Sequence, residues 1–559
     1  MPAAGEDATP SASAPRRADA GAGVGADAVQ AAEASSGSER GGRARTSTYR
    51  TLEEQGNLSP AEERFERARR SVGLFAGPLL AVLVYVLAGS LEGPQRTLAA
   101  VLTLVLVYWV SEAIPIPVTA VMGLALAIVL GVAPANDVFG AFASSTIFLF
   151  IGGFIIAESM MTHGLDRRFA FRVLALPGVA GSTYRTIIAF GAIAALLSAF
   201  ISNTAATAML FPIALGVVGA LSGLVAQQSP GDADPSRLRF STALMLMVAY
   251  GASVGGLLTP IGSPPNLIGR EFIEKETDAR LPFFTWVLNA APIVLLMFIA
   301  LCVILIALNK PETNRITGAD DYIAEQRAQL GKMSRGERNT LLAFAVAVTL
   351  WILPGVVGLV VGDDSTMYRD VQNRLNEGVV AILAAGLLFL LPTDWKRRRF
   401  TLTWNEAVRI DWGTILLFGS GIALGSLLSS TGLAERLGTS LAGALGVDSL
   451  FPITILAVVV AILISETTSN TASVGIVVPI IIPIALAAGV NPVIPALAAV
   501  FGASYGFMLP VSTPPNAIVY GSGMVPITKM VRSGVVFDVI GAVLIVLGVT
   551  VMARLTGLA

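Results

Sequence analysis

The sequence is poor in the residues on which much protein chemistry depends. Its 559 residues include one cysteine, Cys302, and one histidine, His163. A single cysteine excludes an internal disulfide framework and a cysteine-based zinc site. The histidine lies beside basic residues, and we expect it to be solvated at a membrane edge rather than catalytic. Charged residues make up only 13% of the chain and the net charge is −1, so nothing in the composition argues for nucleic acid binding.

Apolar residues are abundant instead. They make up 54% of the chain, and many stretches reach the ~20 residues that a helix needs to cross a bilayer. The sequence therefore predicts an all-α polytopic membrane protein with about 11 transmembrane helices. The predicted spans lie near 71–91, 96–113, 117–132, 141–161, 284–308, 339–361, 378–392, 412–430 and 533–554, and two interrupted spans begin near 240 and 493.

The polar segments divide the chain. Residues 1–60 have too little apolar content to order themselves, which predicts a disordered cytoplasmic tail. Residues 61–95 are interpreted as a basic pre-helix and the first span. Residues 309–337 form a charged loop, which is expected to be cytoplasmic.

A short polar triplet occurs twice within apolar surroundings. The copies are Ser202-Asn203-Thr204 and Ser469-Asn470-Thr471, and each separates two hydrophobic stretches. Polar groups at membrane depth indicate a lined cavity, because hydrocarbon offers them no partners. Basic residues on both sides of the first copy favour a re-entrant hairpin over a crossing segment. The predicted hairpins are 185–222 and 449–488.

The two halves of the chain match each other in order. Each triplet is followed by a proline-rich break, TPIGSPPN at 259–266 and PVSTPPN at 510–516. The predicted units are 96–308 and 338–559, and each contains an odd number of crossings plus one hairpin. The second unit is then inverted relative to the first. Inverted repeats with broken helices are typical of secondary transporters.

The predicted tips suit both an anion and a cation. Residues that follow each tip begin a helix, whose free N–H groups favour an anion. Residues that precede each tip end a helix, whose free carbonyl groups favour a cation. Ser198 and Ser465 lie one turn before the triplets and would add hydroxyl oxygens. Glu466 has Ala199 as its counterpart in the first half and is outside this symmetric set.

The distribution of basic residues predicts the orientation. Arg167, Arg168 and the loop 309–337 are expected on the cytoplasmic side, together with the basic run 396–399. This gives a multi-pass protein of the plasma (inner) membrane with a cytoplasmic N-terminus and an extracytoplasmic C-terminus.

On both triplets, GSPPN (262–266) and STPPN (512–516), the sequence resembles the divalent-anion:sodium symporter family. The resemblance covers about residues 70–559. It implies sodium-coupled import of dicarboxylates of the succinate, malate and fumarate class. It also implies a homodimer in lipid, an elevator movement, two or more sodium ions as coupling ions, and no organic cofactor.

The resemblance also assigns ligands by position. The first sodium ion would be held by Ser198, Ser202, Asn203 and Gly262, and the second by Ser465, Thr468, Asn470 and Ser512. Substrate carboxylates would meet Asn203, Thr204, Ser263, Asn470, Thr471, Thr513 and Pro514. The second cation set departs from the family pattern, which has Thr at 465 and Ala at 468 and 512.

Other functions remain open at this stage. A sodium-independent dicarboxylate exchanger and a sulfate or citrate transporter share the same motifs, and an anion channel would share the same hydrogen-bond donors. An intramembrane hydrolase would need a nucleophile with a base, and the only histidine lies outside the duplicated region. The sequence therefore predicts a transporter and not an enzyme.

Overall fold

The structure is a computed structural model of the chain. It describes residues 60–228, 238–277, 279–315, 318–362, 365–445 and 449–558. The predicted disordered tail lies outside these residues, apart from Pro60.

The described chain is almost entirely helical, as expected where hydrocarbon leaves backbone groups no partner outside their own helix. The helices of the first half are α1 (Pro60–Leu87), α2 (Gly93–Ser111), α3 (Ile116–Val129), α4 (Ala135–Gly140), α5 (Ser145–His163), α6 (Leu165–Leu174), α7 (Thr183–Ser198), α8 (Asn203–Gln228), α9 (Arg239–Gly255), α10 (Pro264–Glu276) and α11 (Phe283–Leu308). Those that follow are α12 (Ala319–Gln329), α13 (Arg335–Val361), α14 (Thr366–Arg374), α15 (Glu377–Leu390), α16 (Trp404–Ala407), α17 (Trp412–Ser430), α18 (Leu433–Leu445), α19 (Leu450–Thr467), α20 (Asn470–Ala487), α21 (Val493–Ala503), α22 (Pro514–Tyr520) and α23 (Ile527–Leu555). Two short strands, β1 (Pro392–Asp394) and β2 (Arg399–Phe400), form an antiparallel hairpin between α15 and α16.

Among the described residues, nine helices are long and apolar enough to cross a membrane. They include α19 and α20, the two arms of the second predicted hairpin, so length alone does not separate a hairpin from two spans. α3, α7 and α21 are apolar but shorter, and α14 and α15 form a pair bent by 48°. The protein is a multi-pass helical membrane protein.

Corresponding helices end in the same way. α5 is followed by Gly164 at φ 72° and α17 by Thr431 and then Gly432 at φ 71°. A left-handed residue after a helix is nearly always glycine, because other residues meet a steric penalty there. Gly164 and Gly432 therefore terminate helices at matching places in the two halves.

Each triplet-bearing pair of helices packs on the helix that leads to the next break. α7 packs along α9, where Gly255 lies against the Ala195 backbone, and α19 packs along α21. At the second contact, a Cβ on Gly502 would lie 3.1 Å from the Val458 carbonyl oxygen. Small residues at such contacts let helix backbones approach closely in membranes.

Helices of the two halves also contact each other. α10, which follows the first break, packs on α20, and α22, which follows the second break, packs on α8. Each short helix therefore packs on the helix that follows the triplet of the other half. This arrangement joins the four polar elements of the chain into one assembly.

Three details differ from the sequence-based expectation. The predicted basic pre-helix and first span form one continuous helix, α1, and the predicted loop 309–337 contains helix α12. His163 is half-buried, and its Nε2 lies 2.7 Å from the Thr401 carbonyl oxygen. The interpretation of His163 as a solvated side chain is therefore wrong, because a tertiary contact to the chain after β2 holds it.

Candidate substrate and cation site

The two Ser-Asn-Thr triplets lie where one helix ends and the next begins. α7 ends at Ser198 and α8 begins at Asn203. α19 ends at Thr467 and α20 begins at Asn470. The first N–H groups of α8 and α20 therefore lie at the triplets, where the positive end of the helix dipole favours an anion.

The serine of each triplet caps the helix that follows. Ser202 Oγ accepts a hydrogen bond from the Ala205 N–H at 3.2 Å. Ser469 Oγ accepts one from the Ala472 N–H at the same distance, 3.2 Å. Each cap satisfies one of the free N–H groups of the first turn, and the others remain for a ligand.

The serine one turn earlier bonds to the asparagine of each triplet. Ser198 Oγ lies 2.5 Å from Asn203 Oδ1, and Ser465 Oγ lies 2.8 Å from Asn470 Oδ1. Both serines are fully buried. Ser465 Oγ is also 2.7 Å from the Ala503 carbonyl oxygen, so its single proton has two acceptors. The contact places a hydroxyl oxygen beside an amide oxygen in both halves, which is a donor set for a hard cation.

Two asparagines that the sequence analysis did not assign hold the proline-rich breaks. Asn266 Nδ2 donates to the carbonyl oxygens of Gly256 at 2.7 Å and Thr259 at 2.8 Å. Its counterpart Asn516 does the same, at 2.8 Å to Gly506 and 3.0 Å to Leu509. The available signal was the final Asn of both PPN motifs, which the analysis used only to mark the break.

Backbone oxygens converge on Gly262 in the first half. A Cβ placed there would lie 2.6 Å from the Gly256 carbonyl oxygen, 2.9 Å from that of Ser198 and 3.0 Å from that of Ala199. Gly256 in turn faces Asn203 Oδ1. Carbonyl and amide oxygens of this kind are the ligands that hard cations take in proteins. Ser198, Asn203 and Gly262, three of the four residues assigned to the first cation by resemblance, therefore lie around one cluster of oxygen atoms.

A side chain at Gly262 should disturb this cluster. For Gly262→Ala we expect a loss of about 1–3 kcal/mol of stability, the usual cost of overpacking, because all three close neighbours are backbone atoms. The control is Gly421→Ala within α17, where a Cβ would meet nothing within 4 Å; it should be neutral or slightly stabilising. Thermal unfolding in detergent compares the two, and equal midpoints would contradict the expected crowding.

The second half differs at the corresponding position, where Ser512 stands in place of Gly262. Its hydroxyl lies 2.6 Å from Glu466 Oε2 and 3.1 Å from the Glu466 carbonyl oxygen. Gly506, which the sequence analysis missed, is where three assigned residues meet. A Cβ there would lie 3.1 Å from Ser465 Oγ, 3.1 Å from Ser512 Cβ and 3.5 Å from Asn470 Oδ1.

The fourth residue assigned to the second cation is partly committed elsewhere. The Thr468 hydroxyl donates to the Ile464 carbonyl oxygen at 2.7 Å, one turn back in α19. Its backbone leaves the helical conformation, with φ −133° and ψ −110°. A non-helical backbone frees the Thr468 carbonyl from the helix ladder, so this carbonyl is the group that Thr468 offers most readily.

The residues assigned to the substrate fall into three classes of exposure. Ser263 and Thr513 are buried at the starts of α10 and α22, where Thr513 Oγ1 accepts from the Asn516 N–H at 3.4 Å. Pro514 is exposed. The assigned triplet residues are half-buried, and they are Asn203, Thr204, Asn470 and Thr471. Asn203, Thr204, Asn470 and Thr471 therefore keep accessible surface at the triplets.

A basic side chain from the first helix reaches the second tip. Arg69 Nη1 donates to the Thr467 carbonyl oxygen at 3.2 Å, and Arg69 Nη2 lies 3.6 Å from Glu112 Oε1. The sequence placed Arg69 in the basic pre-helix and gave no sign of this contact, because the two partners are far apart in the chain. The contact fixes the end of α19 next to the triplet.

Comparison with known proteins covers nearly the whole membrane region. Residues 74–557 match the family model described as the sodium:sulfate symporter transmembrane region. A protein from Staphylococcus saprophyticus named sodium-dependent dicarboxylate transporter SdcS is 32% identical over 481 residues, which are 85% of this chain and 90% of that protein. The protein of the same name from Staphylococcus aureus is 30% identical over 484 residues, 86% of this chain and 90% of its own.

One solved structure has a comparable fold at low identity. Neisseria gonorrhoeae MtrF, described as representing a class of antimetabolite efflux pumps, is 13% identical. The match has a TM-score of 0.51 and covers 84% of this chain and 97% of that one. At this identity the likeness concerns the fold alone.

Proposed function

Because the chain belongs to the sodium:sulfate symporter family, we propose that it imports small dicarboxylates together with sodium ions. The resemblance that the triplets and PPN motifs carry is thereby confirmed at the level of the family. The substrate class is supported by the two staphylococcal relatives, whose printed name is sodium-dependent dicarboxylate transporter.

The observation that carries the proposal is the repetition of one set of hydrogen bonds in both halves. Ser198 with Asn203 corresponds to Ser465 with Asn470, and the PPN asparagines brace both breaks in the same way. Each half thus offers free helical N–H groups for one carboxylate and an oxygen cluster for a cation. Two such units suit a substrate with two negative groups.

Coupling follows from sharing a residue between the two ligands. Asn203 directs Oδ1 toward the oxygen cluster at Gly256, while its backbone begins α8. A cation held by Oδ1 would order the tip before the carboxylate arrives. Two ligands that stabilise the same local conformation raise each other's affinity by the same factor.

The movement and orientation form part of the proposal. The helices α7–α10 and α19–α22 would form a transport unit that moves against the remaining helices, in a homodimer, with a cytoplasmic N-terminus and an extracytoplasmic C-terminus. The interlocked contacts of α10 with α20 and of α22 with α8 support one unit that moves as a body.

Uptake of labelled succinate into proteoliposomes tests the function. We expect uptake to require an inward sodium gradient and to be unaffected by internal dicarboxylate. Uptake that is equal in choline and sodium buffers, but stimulated by internal dicarboxylate, would identify an exchanger instead. Competition by citrate or sulfate in the same assay defines the anion, and a current that does not saturate would indicate a channel.

Ser198→Ala and Ser465→Ala should each shift sodium activation to higher concentrations. Losing one buried polar partner costs about 1–2 kcal/mol, which corresponds to roughly tenfold in sodium concentration. The maximal rate should be largely retained, because mass action at high sodium offsets a missing ligand. Apparent affinity for succinate should fall at low sodium and recover at high sodium.

A matched control for these variants is Ser522→Ala, which removes a hydroxyl that donates to Val519 outside the tips. Its sodium curve should coincide with that of the parent. If the Ser198 and Ser465 variants also coincide with the parent, their hydroxyl groups serve helix packing and do not contact sodium.

A further inference from the structure

Charged side chains of α10 contact helices that lie outside the proposed transport unit. Arg270 Nη1 lies 2.6 Å from Glu377 Oε2 at the start of α15. The next residue, Glu271, accepts hydrogen bonds from the Ser144 hydroxyl at 3.2 Å and from the Thr146 hydroxyl at 2.7 Å, at the start of α5. Two adjacent side chains of α10 thus bind two helices of the remaining part of the protein.

These two helix starts lie side by side. Gly378 of α15 lies against the Ser145 carbonyl oxygen of α5. The carboxylate of Glu271 therefore meets the N-terminal end of α5, where the helix dipole stabilises negative charge. One turn further along α10, Lys275 Nζ donates to Ser426 Oγ in α17. The contacts of α10 with α5, α15 and α17 are thus hydrogen bonds and an ion pair.

α10 also packs on α20 and α21, which belong to its own unit. Gly269 lies directly against the Val500 side chain of α21. Interfaces within a chain that separate are more polar than permanent ones, which resemble a hydrophobic core. The close apolar contact at Gly269 suits a permanent contact, and the charged contacts suit one that opens.

The buried ion pair can part without leaving either charge alone. Arg270 Nε also lies 3.1 Å from Glu274 Oε1, one turn further along α10. Glu377 Oε1 also accepts the Phe283 N–H of α11, on the side of the remaining helices. Glu271 is half-buried, so water can replace its two hydroxyl partners. Each group therefore keeps a partner or gains hydration when α10 leaves.

We propose that Arg270, Glu271 and Lys275 form a latch with their partners on α5, α15 and α17. The latch is closed in the state that the structure shows and opens whenever the transport unit moves. α10 is capped by Ser263, one of the residues assigned to the substrate, so one helix joins the substrate site to the latch. The proposal rests on the moving unit of the proposed function and deepens it by naming the side chains that hold the unit in place.

The first test joins α10 to α5 covalently. Glu271→Cys and Thr146→Cys are combined in Cys302→Ser protein, and mercuric ion bridges the two thiols. Uptake of labelled succinate into proteoliposomes should be lost on bridging and return when dithiothreitol removes the mercury. The control pair is Ser159→Cys with Thr340→Cys, whose hydroxyl oxygens lie 2.7 Å apart between α5 and α13. Its uptake should not change, because both helices lie outside the transport unit, and maleimide labelling of the denatured proteins confirms both bridges.

A second readout needs no transport. Spin labels at Lys275 in α10 and at the exposed Phe139 in α4 should give two distances in pulsed electron paramagnetic resonance, one for each state of the latch. Labels at Phe139 and the exposed Leu359 in α13 should give one distance. Thr146→Val keeps the shape of the side chain and removes one hydrogen bond to a charged group. It should raise the ratio of the second distance to the first about tenfold.

Two results would overturn the latch. One is a bridged protein that takes up succinate at its unbridged rate. The other is a single distance for the Lys275 and Phe139 labels both with and without Thr146→Val. If the first cysteine pair is inactive before bridging, Lys275→Cys with Ser426→Cys takes its place and joins α10 to α17. Two distances in a protein that takes up no succinate would reject the proposed substrate and support the latch.

Discussion

Replacing Asn203 or Asn470 with alanine is expected to abolish succinate uptake. Each asparagine begins a helix, and each Oδ1 lies within 2.5–2.8 Å of a buried serine hydroxyl. Alanine removes a cation ligand and a tip donor together and leaves the serine with one acceptor fewer. Two buried polar partners at about 1.5 kcal/mol each correspond to a loss of more than about a hundredfold.

The interpretation depends on intact folding. Both variants should elute from size exclusion like the parent, because the tips are half-buried and at helix ends. Asn491→Ala is the matched control, since this exposed asparagine caps α21 through the Val493 N–H at 2.9 Å and lies outside the tips. It should cost stability only. Near-normal uptake by either tip variant would remove the tips from the mechanism.

The largest loss of stability is expected from Arg270→Met. Arg270 is 9% exposed in α10 and reaches Glu377 Oε2 at 2.6 Å and Glu274 Oε1 at 3.1 Å. The carboxylates also accept hydrogen bonds from backbone N–H groups, Glu377 from that of Phe283 and Glu274 from that of Leu281. Removing the guanidinium leaves two partly buried negative charges without a counter-charge, which costs about 3–5 kcal/mol.

Thermal unfolding in detergent measures this loss, and an exposed ion pair provides the comparison. Arg397 and Asp394 lie 3.7 Å apart in the β-hairpin, with side chains 73% and 42% exposed. Arg397→Met should change stability by no more than about 0.5 kcal/mol. Adding Glu377→Gln to Arg270→Met should restore part of the loss. Equal midpoints for Arg270→Met and Arg397→Met would show that the buried cluster contributes nothing.

The sequence alone predicted the family and the helical class, and its two triplets lie where the structure breaks between α7 and α8 and between α19 and α20. These features are local: an apolar stretch long enough for a span, a polar triplet within it, and a PPN motif after it. The repeat strengthened each local signal, because the same order of elements occurs twice. The sequence therefore located the start of α8, at Asn203, and the start of α10, at Pro264, to within a few residues.

The sequence could not predict contacts between distant parts of the chain. Glu466 contacts Ser512, which lies 46 residues further along the chain, and Arg69 contacts Thr467 across most of the protein. No spacing rule connects such pairs, because their separation is set by tertiary structure. Gly506 was missed for a related reason, since its role depends on which side chains surround it. The braces at Asn266 and Asn516 were visible in the motif, but their carbonyl partners were not.

The exchange of contacts between halves has a consequence for biosynthesis. α8 packs against α22, and the Tyr250 hydroxyl donates a hydrogen bond to the carbonyl oxygen of Phe507, which lies 257 residues further along the chain. The contacts between the two halves cannot form while the ribosome has made only the first half. Contacts of such long sequence separation slow the search for the native topology. The polar residues at the start of α8 therefore lack their partners on α22 until nearly the last helix of the chain has been made.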